Sequence, residues 1–126
     1  MNMANLAIIF PQLAHFLIGF YFTFFGVWNI YHWIPMTETM MQRGLPRPFF
    51  LLSLIIVWQI IAGVMLIFGI LIKFAALTLI PFVFMMVFIL HPFWKFKGEI
   101  RKQHMALFIT NLTICPGALV LLLNSV

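Results

Sequence analysis

Residues 49–72 read FFLLSLIIVWQIIAGVMLIFGILI, 24 positions without a single Asp, Glu, Lys or Arg. At a rise of about 1.5 Å per residue, about 20 such positions carry a helix across the ~30 Å hydrocarbon core of a bilayer. Working outward, three further runs of the same kind stand at residues 11–33, 75–94 and 105–123. Formal charge is limited to seven Lys or Arg and two Asp or Glu, clustered between these runs, while 65% of the 126 residues are hydrophobic. A water-soluble chain of this size could not hide that much apolar surface. The expected fold is an all-α integral membrane protein, an up-and-down four-helix transmembrane bundle in a single domain over residues 1–126. The connections leave no room for a soluble catalytic domain.

The net charge of +5 sits beside apolar spans, which points to anionic lipid headgroups rather than nucleic acid. Residues 34–48 and 95–104 hold Arg43, Arg47, Lys95, Lys97, Arg101 and Lys102, whereas the connection between the second and third spans holds Lys73 alone. The positive-inside bias places residues 34–48 and 95–104 in the cytoplasm and both termini outside. No basic segment precedes the first apolar run, so that run is expected to stay as a span rather than be cleaved as a signal. Cys115 is the single cysteine, which excludes an intramolecular disulfide and a CxxC redox pair; a small apolar filler is the ordinary use of such a residue.

The first span is expected to begin at Pro11, since proline is tolerated in a helix's first turn. Gly19, Thr23, Gly26 and Asn29 recur at spacings of four and three, which puts them on one helix face. Small residues there let backbones approach closely in lipid. Gln59 and Gly63 share a face of the second span by the same spacing. Between them, residues 37–43 are expected to form a short interfacial helix ended by Gly44 and blocked by Pro46 and Pro48. Met36, Met40 and Met41 lie in that connection; a thioether copper site is conceivable, but amphipathic interface residues account for them more simply. Pro81 frees the Leu77 carbonyl, which Thr78 is placed to satisfy. Lys73 reads as a snorkelling side chain. The sequon-like Asn111-Leu112-Thr113 lies within a span, out of reach of glycosylation.

Counting from the basic side, Asn29, Gln59, His91 and Asn111 fall roughly 5–15 Å below that boundary, with His32 and His104 at its lip. Polar groups in lipid turn inward and mark a site or pathway, although Asn and Gln also serve as plain helix glue. His15, near the other end of the first span, reads as an interfacial residue. His91 and Asn111, with Trp94 beside them, suit hydrogen bonding to a carbonyl or quinone oxygen, and the surrounding Phe, Leu and Trp could hold a ring or isoprenoid tail. The ligand-binding set read from the sequence is therefore Asn29, Gln59, His91, Trp94 and Asn111. Haem would need His32 and His91, both near helix ends with no spacing that specifies it, and no metal site is expected. The only acids, Glu38 and Glu99, lie in connections, and no nucleophilic or acid–base set is present.

Phe16-Leu-Ile-Gly-Phe-Tyr-Phe-Thr-Phe-Phe-Gly26, Met41-Gln-Arg-Gly-Leu-Pro46, Gln59-Ile-Ile-Ala-Gly63, the run from Phe68 to Leu77, His91-Pro-Phe-Trp94 and Phe108-Ile-Thr-Asn-Leu112 follow one another in an order that resembles the DoxX family of small bacterial membrane proteins, over roughly residues 13–123. Gln59 stands where that family usually has Glu, Lys73 where it has Arg, Asn29 near a usual Lys, and Thr110 at another. The resemblance implies a four-helix bundle in the bacterial cytoplasmic (inner) membrane, linked to quinone-dependent oxidoreductase systems. The neutral substitutions weaken a proton relay and favour an accessory, non-catalytic subunit that binds a quinone or lipid headgroup beside a partner oxidoreductase subunit. A membrane scaffold without ligand, or a small homo-oligomeric transporter or channel, are the alternatives.

Overall fold

The structure, a computed structural model, describes residues 2–125. Among them are five α-helices, one 3-10 turn and no strand: α1 (Met3–Tyr31), α2 (Trp33–Gln42), α3 (Pro48–Phe68), α4 (Ile72–Leu90), the 3-10 turn Phe93–Lys95 and α5 (Gly98–Ser125). α1, α3, α4 and α5 are long and apolar enough to cross a membrane.

α1 starts well before Pro11, correcting the expected first turn. The Asn2 side chain caps it by accepting the Asn5 N–H at 2.9 Å. Pro11 then sits inside the helix, where it removes only the bond to the Ala7 carbonyl, and Ala7 is exposed. α1 breaks at His32, and α2 follows at once from Trp33, four residues ahead of the expected Thr37. α2 does end as expected: Gly44 takes a φ of +77°, and the N–H groups of Gly44 and Leu45 return to the carbonyls of Met41 and Met40. This paired closure favours glycine at the left-handed position.

α1 packs along α3, and α4 along α5; α3 also meets α4, while α2 lies across α3 and touches α4. The α1–α3 crossing uses the small-residue face. A Cβ on Gly19 would lie 2.5 Å from the Gly63 carbonyl oxygen and 2.6 Å from the Ile67 nitrogen, and one on Gly26 would lie 2.5 Å from Ile60 Cγ1. Glycine is therefore needed at both positions for this close approach. The core about the crossing includes Phe22, Leu52, Leu66, Leu79, Phe82 and Leu119, all buried. Outward residues such as Leu17, Phe20, Ile61, Leu77 and Leu121 are exposed, a surface that suits acyl chains rather than water.

Thr78 does not serve the Leu77 carbonyl. Its hydroxyl donates to Ala75 O at 2.9 Å, because a helical side chain leans back toward the preceding turn rather than onto the adjacent carbonyl. At the opposite end, Arg43 Nε donates to the Ile89 carbonyl at 3.2 Å, and its guanidinium lies 5.1 Å above the Phe96 ring. That contact brings the two basic connections to the same end of the molecule.

Candidate functional site

The small-residue face of α1 ends in Asn29, and the glycine face of α3 begins with Gln59, so the close α1–α3 approach brings two amides together. Asn29 Nδ2 donates to Gln59 Oε1 at 3.2 Å. Both residues are buried, at 8% and 6% exposure. Beside them lies a cavity of about 520 Å³, within the range of about 300–1,000 Å³ that suits a small-molecule site.

α1 contributes Tyr21, Phe22, Phe25, Trp28 and Asn29 to its lining, α3 contributes Gln59, and α2 contributes Met36. The far wall is aliphatic residues of α4 with Phe82 and His91, then Leu107, Thr110, Asn111 and Cys115 of α5. The walls are thus mostly apolar, with a few amide and imidazole groups set among them. α1 and α5 meet only over a short stretch. On either side of that seam Tyr21, Phe25, Trp28, Leu107 and Thr110 line the cavity and are also exposed, so the cavity opens sideways between these two helices. Cys115 Sγ lies 3.9 Å from the Tyr21 hydroxyl and 3.6 Å from Asn111 Oδ1, which ties α5 to α1 across the seam.

His91 caps the C-terminal end of α4 and lies 3.1 Å, Nδ1 to Nδ1, from His104 on α5. One nitrogen must donate and the other accept, so the two rings share a single N–H in this contact. His104 stacks on Phe96 at 4.5 Å, and Phe96 carries Arg43 above it. The contacts run from Arg43 through Phe96 and His104 to His91, the one member of the four that lines the cavity.

Of the five residues read from the sequence, Asn29, Gln59, His91 and Asn111 line this one cavity. Trp94 does not: it is exposed in the 3-10 turn and packs against Phe88, Phe93 and Phe108. The turn that follows His91 swings the ring outward. His32 is also outside, stacked on Trp28 at 4.1 Å and bonded to the Trp28 carbonyl, so the imidazole that meets His91 is that of His104. His15 is more than an interfacial residue, since its Nδ1 lies 2.6 Å from the Leu66 carbonyl near the end of α3. The three methionines of the 34–48 connection diverge: Met36 faces the cavity, Met40 is buried in the core and Met41 is exposed. Sequence reasoning missed Tyr21, Trp28 and Cys115 as cavity residues. The one signal that could have found Cys115 is its spacing of four from Asn111, which puts both on one face of α5.

A protein-family model, DoxX, matches residues 10–92. The chain belongs to the DoxX family. The match runs from residue 10, within α1, through α4 and stops before α5, so the α5 wall of the cavity, with Asn111 and Cys115, lies outside the matched segment. Comparison with curated proteins and with solved structures gives no match. This is a DoxX-family membrane protein with transmembrane helices.

Proposed function

We propose that this DoxX-family protein holds the headgroup of a quinone or a comparable lipid in the cavity beside Asn29 and Gln59, and acts as an accessory subunit of a membrane redox system. In this reading the four apolar helices cross up and down in a bacterial inner membrane, with both basic connections in the cytoplasm. The observation that carries it is one mostly apolar cavity of about 520 Å³ into which four membrane-depth polar residues converge, from α1, α3, α5 and the C-terminal cap of α4. Asn111 and His91 supply neutral hydrogen-bonding groups, and aromatic residues of α1 flank the opening to the lipid. The chain's two carboxylates, Glu38 and Glu99, are exposed and away from the cavity. That favours a site which positions a ligand over one that relays protons through acids.

The test is saturable quenching of tryptophan fluorescence by a short-chain benzoquinone in lipid nanodiscs, since Trp28 stands in the cavity wall. Wild-type protein should show it, and His91→Ala with Asn111→Ala should weaken binding by about tenfold, the effect of losing about one to two hydrogen bonds. Unchanged binding in that double variant, or quenching that never saturates, would remove the assignment. A scaffold without ligand would instead retain a stable protein partner after mild solubilisation and no lipid-soluble ring.

A further inference from the structure

A primary amide has one carbonyl acceptor and an NH₂ with two hydrogens to give. The single Asn29–Gln59 bond uses the NH₂ of one residue and the carbonyl of the other. It leaves the Asn29 carbonyl and the Gln59 NH₂ without a partner, together with the second N–H of Asn29. Turning both amides over would exchange which residue keeps which group, but the remainder would still be one carbonyl acceptor on one residue facing an unused NH₂ on the other. Only Thr23 Oγ1, among the described buried side-chain polar atoms, lacks both a partner and accessible surface. The two remaining amide groups therefore keep contact with open space, and the open space that both residues line is the cavity. Amide groups held at this depth gain most from an occupant that answers both.

Resting on the reading of the cavity as a headgroup site, we infer that the Asn29–Gln59 pair selects a ring bearing a hydroxyl, a quinol or another phenol, over the oxidised ring that bears carbonyls alone. A hydroxyl gives its hydrogen to the free carbonyl and accepts from the free NH₂. A quinone oxygen can accept from the NH₂, but it presents lone pairs to the amide carbonyl and leaves that acceptor desolvated. Sites arranged to bond a hydroxyl reject analogues that lack it, for this reason. The pair is in this sense a reader of the ligand's oxidation state, with no electron transfer required of the protein.

The test uses the full chain in lipid nanodiscs under anaerobic conditions, with three probes: a short-chain isoprenyl benzoquinone, its quinol, and the quinol dimethyl ether. The ether keeps the ring shape and oxygens but has no hydrogen to give. The quinol should bind at least about tenfold more tightly than either other probe, the worth of about one well-placed hydrogen bond. Asn29→Leu combined with Gln59→Met should bring the quinol-to-quinone and quinol-to-ether ratios to within about threefold of one, since neither the hydroxyl acceptor nor its donor remains. Equal binding of quinol and ether by the wild-type protein would overturn the selection while leaving the headgroup site intact. Saturable binding of none of the three would overturn both. Should the double variant fail to fold, the wild-type ratio decides by itself.

Discussion

Adding one methyl group at Gly63 tests whether the α1–α3 crossing is as close as described. A Cβ there would collide with Thr23 Oγ1 and would also lie 2.8 Å from the Thr23 nitrogen and 2.9 Å from the Gly19 carbonyl oxygen. The last two are backbone atoms, so no rotamer change relieves them, and the helices must separate by about half an ångström to restore ordinary contact. Overpacking of this kind costs about 1–3 kcal/mol. Alanine returns up to about 1 kcal/mol through its higher helix propensity, so Gly63→Ala should lose about 1–2 kcal/mol. Separation would also stretch the 3.2 Å Asn29–Gln59 bond one turn away. Gly117→Ala is the matched control, because a Cβ there meets nothing within 4 Å, and it should be neutral or stabilising by up to about 1 kcal/mol. Unfolding in mixed micelles of mild detergent and dodecyl sulfate, followed by circular dichroism, measures both. If Gly63→Ala proves as stable as Gly117→Ala, the crossing is looser than described, and the close pairing of the amides loses its cause.

Other expectations follow from the same geometry. A double-mutant cycle on Asn29→Leu and Gln59→Leu should return a coupling of about 0.6 kcal/mol, and no more than about 1.7, the range for polar pairs within membranes; zero coupling would mean the two amides do not bond. Arg43→Ala removes both the Ile89 carbonyl bond and the stack on Phe96, so hydrogen exchange should accelerate over residues 91–98 and leave α3 unchanged. A membrane-permeant maleimide should modify Cys115 through the cavity, and a saturating occupant should slow that modification several-fold. The rate should stay the same with and without occupant if the thiol is reached from elsewhere. His15→Ala should expose the Leu66 carbonyl and cost about 1 kcal/mol in the same unfolding assay.

The spans were legible because charge is so sparse that the few Lys and Arg mark the turns, and the small-residue faces of α1 and α3 were legible because glycine at spacings of three and four has little other use in lipid, although nothing in the spacing said that the two faces meet each other. Asn29 and Gln59 could be placed at similar depth by counting residues. What could not be read is which apolar residues face inward. Outward side chains such as Phe20 and Leu121 are as apolar as buried Phe22 and Leu122, because acyl chains and protein core make the same demand. Hydrophobic periodicity, the usual guide, is therefore mute on the walls of the cavity, and Tyr21 and Trp28 gave no sign of their role. Trp94 misled for a related reason: an aromatic ring at a membrane boundary fits a site and an interface equally well. The His91–His104 contact depends on how the turn at residues 92–97 folds back. Pro11 was misjudged because proline inside a helix costs least where the freed carbonyl is exposed.

The lateral gap between α1 and α5 determines how any occupant arrives. A guest entering there never leaves the acyl phase, so its dehydration is complete before the protein is met. Occupancy would then follow the guest's mole fraction in the membrane, and two guests with identical contacts would differ in aqueous titrations by their partition coefficients alone. Lengthening an isoprenoid tail should sharpen a water-based dissociation constant many-fold while leaving the constant expressed per lipid nearly where it was.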